Sequence, residues 1–336
     1  MRTSSLPPIR YLSAGAVSSL MPSIEESLSL AAKAMEALAT EGAAELPSKI
    51  AIHPRPTGSF AHAMPAHLRG SEARGAEDLI GMKWIAGFPT NNALGVNALS
   101  ALVVLNDPQT GAPIAVLDGG PITAARTAAV SGLAIRLFAP AMRERAIRAA
   151  IIGAGVQGRS HLPVLGHLLP GVEVAIFDRH PERAAALAEL ARGIAGIRTA
   201  RVASTARTAV EGTEIVVTAA SFRPVRQVMT NAWVSAAGLV IPVDYATYCA
   251  AEVARDAALF AVDDRAQFLA HRDAGLFEGY PDPSATLGEL LLARRPRPRG
   301  RVVITHLGVG LADIVFADAI LKAAEQLDAG VLLPRS

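Results

Sequence analysis

The chain has 336 residues, 51% hydrophobic, 18% charged and 4% aromatic, with a formal net charge of +2. This length exceeds the usual single-domain size, so two domains on one polypeptide are expected, and the composition excludes an intrinsically disordered chain. A charge of +2 on a chain this long makes no field that would attract nucleic acid.

Near the start, Arg2 and Arg10 are followed by Tyr11-Leu12-Ser13-Ala14-Gly15, which interrupts any signal-like apolar core. No uninterrupted apolar run approaches the ~20 residues of a membrane helix, so a cytoplasmic protein with no membrane partner is expected. Ser23-Ile24-Glu25-Glu26 reads as a capping box, and Ile24, Leu28, Ala32, Met35 and Ala39 then recur at helical spacing, predicting a helix over 24–41. Segment 46–70 holds Pro47, Pro54, Pro56 and Pro65, which suits short strands and loops lining a site. The runs 101–105 and 113–117 flank Asn106-Asp107-Pro108-Gln109-Thr110-Gly111 and predict a hairpin. Thr123 is the expected N-cap of a small-residue helix over 124–138, stopped by Pro140, with Arg126 in its first turn.

From 148 the pattern alternates: strand 149–153, helix 156–168, strand 172–178, helix 181–191, then strands at 199–203, 214–219, 239–244 and 258–263. Strands alternating with helices predict an α/β fold with a Rossmann-type, doubly wound parallel sheet. Cys249 is alone, so no intrachain disulfide forms, which fits a reducing compartment. With no second Cys and no His pair at helical spacing, no metal site is expected. The stretch Arg294 to Arg299, broken by Pro296 and Pro298, reads as a solvated loop. A strand over 301–305 and a helix over 310–326 follow, and the helix is expected to return to the first domain because the central unit is complete without it.

Gly153-Ala154-Gly155-Val156-Gln157-Gly158 follows the apolar strand Ala149-Ala150-Ile151-Ile152 and opens the next helix. In this setting the first glycine permits the turn, the second lets backbone amides reach a pyrophosphate, and the third allows close helix–strand contact, while the helix N-terminus attracts the anion. The next strand ends in Asp178, placed to accept from an adenosine ribose 2′-hydroxyl. The carboxylate favours NAD; the adjacent Arg179 leaves NADP open should Asp178 turn away.

Lys49, Lys83, Arg126 and Asp244 stand in apolar or glycine-rich surroundings, where charges need a partner or a purpose. Each alone is as readily a snorkelling or paired side chain; together they suggest a site. The three cations suit an α-carboxylate, and Asp244, at a strand end, could exchange a proton with a substrate nitrogen. His306, before the turn at Gly308, lies either near the nicotinamide or in a structural role, and Asp313 is expected to cap the last helix.

These segments resemble the ornithine cyclodeaminase/mu-crystallin family. The likeness runs through Ala63-Met64-Pro65-Ala66, Gly81-Met82-Lys83-Trp84, Leu105-Asn106-Asp107-Pro108, Ile122-Thr123-Ala124-Ala125-Arg126-Thr127-Ala128-Ala129, the glycine turn and Leu307-Gly308-Val309-Gly310-Leu311-Ala312-Asp313. The resemblance implies a Rossmann domain (129–310) inserted in an α+β substrate-binding and dimerisation domain (1–128 with 311–336), and a homodimer. It implies substrate contacts from Lys49, Met64, Lys83 and Arg126, with Lys83 and Asp244 catalytic. Thr127, Gly153, Gly155, Val156, Gln157, Gly158, Asp178, Arg179, Thr218, Ala219, His306 and Gly308 would face the cofactor. Lys49 stands where many members have arginine, and Asp244 lacks the family's flanking glycines. The implied activity is NAD(P)-dependent interconversion of an α-amino acid with its imino or keto acid. The alternatives are a cyclodeaminase lyase that releases ammonia with internally recycled NAD, and a non-enzymatic nucleotide-binding protein.

Overall fold

The computed structural model describes residues 6–70, 78–141, 146–221 and 226–335. The chain divides into two compact units, Met1–Arg126 with Val309–Ser336, and Thr127–Gly308. The expected cuts after 128 and 310 each lie two residues further along.

The first unit begins with β1 (Ile9–Leu12), α1 (Ala14–Ser19) and α2 (Ile24–Leu38). The capping box forms, Ser23 accepting from the Glu26 amide while Glu26 accepts from the Ser23 amide, and α2 ends at Leu38 rather than 41. There follow β2 (Ala44–Glu45), β3 (Ile50–Ile52), β4 (Phe60–Leu68), β5 (Leu79–Gly87), β6 (Leu99–Asn106) and β7 (Pro113–Asp118). The proline-rich segment thus ends in a nine-residue strand that runs through Pro65. The hairpin of β6 and β7 forms, and β5, which the sequence pattern did not reveal, completes an antiparallel run with β4 and β6.

Helix α3 (Gly119–Phe138) starts five residues before its expected beginning. Asp118 accepts from the Gly120 amide, whereas Thr123 lies inside the helix and its hydroxyl donates to the Gly119 carbonyl. Gly-Gly-Pro resembles a turn, but Pro121 needs no amide partner in a first turn, so the helix begins there and Arg126 stands two turns in.

In the second unit come β8 (Arg148–Ile152), α4 (Val156–Leu168), β9 (Val172–Phe177), α5 (Pro181–Arg192), β10 (Ile197–Val202), α6 (Ala206–Val210), β11 (Ile215–Thr218) and β12 (Leu239–Pro242). Then follow α7 (Ala251–Arg255), β13 (Leu259–Val262), α8 (Arg265–Asp273), β14 (Ala285–Thr286), α9 (Leu287–Ala293) and β15 (Val302–Thr305). The sheet order is β10-β9-β8-β11-β12-β15-β13-β14, every pairing parallel. Alternate residues pack on opposite faces, Ala149 and Ile151 with α3, α4 and α5, and Ala150 and Ile152 with α6, α7 and α8. A sheet covered on both faces reads as unbroken apolar runs, which is why these strands were visible in the sequence.

The chain then re-enters the first unit as α10 (Gly310–Gln326) and β16 (Val331–Leu333). Helix α10 packs on β4, β5 and β6 and on α2, and β16 extends the sheet in the order β16-β1-β7-β6-β5-β4-β2, with β3 also paired to β4. Gly310 and Gly81 set that packing: a Cβ on the first would lie 2.5 Å from the Met64 carbonyl, and one on the second 2.5 Å from Val104 O and 3.0 Å from Ile314. Among the described residues no helix is long and apolar enough to cross a membrane.

Candidate active site

In the first unit, strand alternation buries Lys83 of β5 on the sheet face covered by α10, opposite Met64 of β4. Asp313, in the first turn of α10, does not cap that helix, as the sequence suggested; its side chain points into the sheet side and is fully buried. Asp313 Oδ1 accepts from Lys83 Nζ at 2.9 Å and from Arg126 Nε at 3.1 Å. Its Oδ2 is buried without a hydrogen-bond partner among the described residues. Arg126, 6% exposed, spends only Nε on this pair, so both terminal guanidinium nitrogens have no partner among the described residues. Burial lowers the Lys83 ammonium to about 8; Asp313 opposes that shift, while Arg126 and the half-buried Lys49 add to it. Burial also pushes Asp313 up, but Arg126 and Lys83 together outweigh it and hold the carboxyl below its ordinary value. Met64 is buried and meets the start of α10 through its backbone.

In the second unit, β8 and β11 are neighbours from which the chain departs in opposite directions along the sheet, and a ligand crevice belongs at their carboxyl ends. Gly153 closes β8 at φ 108°, and a Cβ there would lie 2.5 Å from Ala219 O. A Cβ on Gly158 would sit 2.0 Å from Gly153 O, whereas Gly155 faces open space. The exposed Val156 and the half-buried Gln157 begin α4. Asp178, just past β9, accepts from the Ala154 amide at 2.7 Å and from the His180 amide at 2.9 Å, so its carboxylate is tied to the glycine turn rather than turned away. Arg179 is exposed and bonds the ring of His180. Thr218 ends β11 with its hydroxyl buried and unpartnered among the described residues, Ala219 follows it, and Thr127 is buried on α3.

Asp244 lies two residues beyond the end of β12, which stops at Pro242 rather than 244. Its Oδ2 accepts from the Ala220 amide at 3.3 Å, and Oδ1 is buried with no hydrogen-bond partner among the described residues. Burial, opposed by nearby backbone amides, pushes its carboxyl up to about 6. Tyr245 and Ala246 then adopt φ of 53° and 60°, a left-handed pair costing non-glycine residues roughly 1–3 kcal/mol each. The Tyr245 hydroxyl donates to Leu307 O at 2.9 Å, fastening the Asp244 loop to the turn after β15.

Residues 16–326 match the profile of the ornithine cyclodeaminase/mu-crystallin family. This chain belongs to that family. It is 33% identical over 300 residues to the nodulation efficiency protein NfeD of Rhizobium meliloti, covering 87% of this chain and 88% of that protein. It is 31% identical over 266 residues to the ketimine reductase mu-crystallin of Mus musculus, covering 78% and 79%. The structure of Thermococcus litoralis Δ1-pyrroline-2-carboxylate reductase in complex with NADH and L-proline superposes with a TM-score of 0.83 at 24% identity, over 97% of this chain and 100% of that one. At that identity the match establishes a shared fold.

Several residues of this ornithine cyclodeaminase/mu-crystallin family member escaped the sequence reading. His161 is fully buried, its Nδ1 2.6 Å from Gln157 O and its Nε2 2.8 Å from Ser131 Oγ, which in turn lies 2.8 Å from His306 Nε2. Burial lowers His161 to about 4, so it is neutral near pH 7. Because a carbonyl only accepts, Nδ1 carries the proton; Ser131 then donates to Nε2 and accepts from His306. His306 thus has a definite partner on α3 within its own unit. Asp263, just past β13, accepts from the Leu307 and Gly308 amides at 2.9 and 2.7 Å, and Gln267 donates to Gly308 O. The available signal was an acid directly after an apolar strand, as at Asp178; for Ser131 and His161 only a polar residue on an apolar helix face pointed inward.

Proposed function

We propose that this protein is an NAD(P)-dependent oxidoreductase that interconverts an α-amino acid with its imino or keto acid. The carrying observation is the buried Lys83–Asp313–Arg126 cluster, whose two cations and one anion leave a single positive charge and an unengaged guanidinium fork. That arrangement suits one α-carboxylate, taken by Arg126 in two parallel hydrogen bonds. Lys49 adds a further cation close enough to lower Lys83.

The glycine turn fits a dinucleotide. The open space before Gly155 and the free first-turn amides of α4 would receive the pyrophosphate, and the anchored Asp178 would accept from the ribose 2′-hydroxyl, which favours NADH over NADPH. When bound, the nicotinamide supplies or accepts a hydride. Asp244 would hold the proton that reaches the substrate nitrogen: a carboxyl raised to about 6 keeps an appreciable protonated fraction near neutrality. The Ala220 amide orients it. A homodimer is part of this reading, formed through the sheet face of the first unit opposite α10, where Trp84 pairs with Leu102 and Met82 with Val104, Trp84 and Leu102 remaining 40% and 41% exposed. So is a cytoplasmic location, in keeping with nicotinamide-linked chemistry and the buried thiol of Cys249.

The test follows NADH consumption with Δ1-pyrroline-2-carboxylate and its six-membered homologue, with ammonia release from ornithine measured in parallel. Net NADH oxidation, weaker with NADPH, is expected. Ammonia release without net cofactor change would make the protein a cyclodeaminase, and the absence of both would overturn the reading.

A further inference from the structure

We propose that Asp313 is a positioning residue for the substrate-carboxylate clamp: by holding Lys83 and the Nε edge of Arg126 on one oxygen, it fixes both cations and leaves the terminal guanidinium nitrogens as the open jaw. The proposal rests on the oxidoreductase reading above. Three features of the structure support it. First, the bonding is selective. Oδ1 takes both donors at 2.9 and 3.1 Å while Oδ2, equally buried, takes none. A carboxylate retained only to satisfy an internal ion pair would employ both oxygens, since buried acceptors are otherwise paired. Second, Arg126 is held along the edge that a bidentate carboxylate does not need. Third, the placement is built into the backbone. Gly310 admits the start of α10 to a distance from β4 that a Cβ would prevent, Gly81 leaves room on β5 for Ile314 of α10, and this close approach brings Asp313 within hydrogen-bond reach of Lys83.

The charges around Lys83 give the proposal a specific signature. Asp313 from α10, Arg126 from α3 and Lys49 from the segment before β3 all act on it, and of these only Asp313 favours the ammonium form. Removing that negative charge makes Lys83 release its proton at lower pH. Carboxylate affinity that depends on a charged Lys83 must then fail at lower pH as well.

The experiment compares the wild-type protein with Asp313→Asn and Asp313→Glu, measuring KM and kcat for Δ1-pyrroline-2-carboxylate between pH 6 and 9.5 and the Kd for NADH as a check on folding. In the wild type, KM is expected to rise as Lys83 neutralises around pH 8. In Asp313→Asn, KM should be about tenfold higher at pH 7, its alkaline rise should begin roughly one pH unit lower, and kcat should change by less than about threefold. Asp313→Glu keeps the charge and should return the pH profile toward wild type. If Asp313→Asn binds NADH normally and its KM profile does not move, the proposal is wrong. Should that variant fail to fold, Lys83→Met/Asp313→Asn removes both buried charges and is compared with Lys83→Met alone for the Kd of L-proline in the presence of NADH. A further loss of about tenfold supports orientation of Arg126 by Asp313, and equal affinities refute it. A wild-type protein that does not turn over the imine at all overturns the function reading itself, a result distinct from an unshifted profile.

Discussion

In the proposed reaction Asp244 would combine a proton-holding role with a folding penalty. Its carboxyl is raised to about 6 from an ordinary 3.8, chiefly by burial, so above pH 6 the folded state holds an anion that water would solvate better. Asp244→Asn should therefore raise stability at pH 8 by up to about 3 kcal/mol, read by denaturant unfolding, while lowering turnover by at least about 100-fold. If reduction needs the protonated carboxyl, kcat for imine reduction falls as pH rises through about 6, and the reverse oxidation, which needs the carboxylate, gains over the same range. His161 acts in the opposite sense. Its folded value near 4 lies below the 6.5 of an exposed imidazole, so the unfolded chain binds the extra proton between those limits. The stability contributed by neutral His161 is complete above 6.5 and is lost as pH falls toward 4, a change of order 3 kcal/mol. His161→Gln should flatten that part of the stability profile in urea titrations at pH 7 and 4.5. Asp244 was legible as a charge at the end of an apolar strand. Ser131 and His161 were not, because nothing in a single helix reveals what faces it across the core.

At the scale of elements, glycines divide into those that shape backbone packing and those that leave room. Gly158→Ala drives a Cβ to 2.0 Å from a carbonyl, and Gly81→Ala to 2.5 Å from another, so each should cost at least about 2 kcal/mol in thermal or chemical unfolding. Gly155→Ala meets no protein atom and should leave stability within about 0.5 kcal/mol, yet weaken NADH binding about tenfold or more in fluorescence titration. Equal destabilisation by all three would refute this division. The inner parallel strands β8, β9, β11, β12 and β13 were visible because both sheet faces are covered, which makes each strand a largely apolar run. Strand β5 was missed because it alternates the buried Gly81 and Lys83 with the half-exposed Met82 and the exposed Trp84, so a glycine and a charge occupy its inward positions. The start of α3 was missed because Gly119, Gly120 and Pro121 carry turn chemistry into a first helical turn.

At the scale of the molecule, the sequence suggested an inserted parallel-sheet unit, but not that the helix returning after it would carry the counter-ion of Lys83 and Arg126. Asp313 is 230 residues from Lys83 and 187 from Arg126, and no local pattern connects positions so far apart. Trp84→Glu with Leu102→Lys places charges on the open sheet face, and light scattering should show a monomer whose helical content is unchanged. A dimer that persists would move the interface elsewhere.

The return of α10 and β16 to the first unit also has a bearing on biogenesis. Residues 127–308 leave the ribosome as one uninterrupted stretch and have their whole sheet available at once. The first 126 residues emerge earlier, but their sheet lacks its cover until residues 310–333 are made, and until then Lys83 stands in water without its counter-ion. The unit synthesised first is thus the one completed last, and a nascent-chain complex arrested before residue 313 should expose Lys83 to acylating reagents that the finished protein excludes.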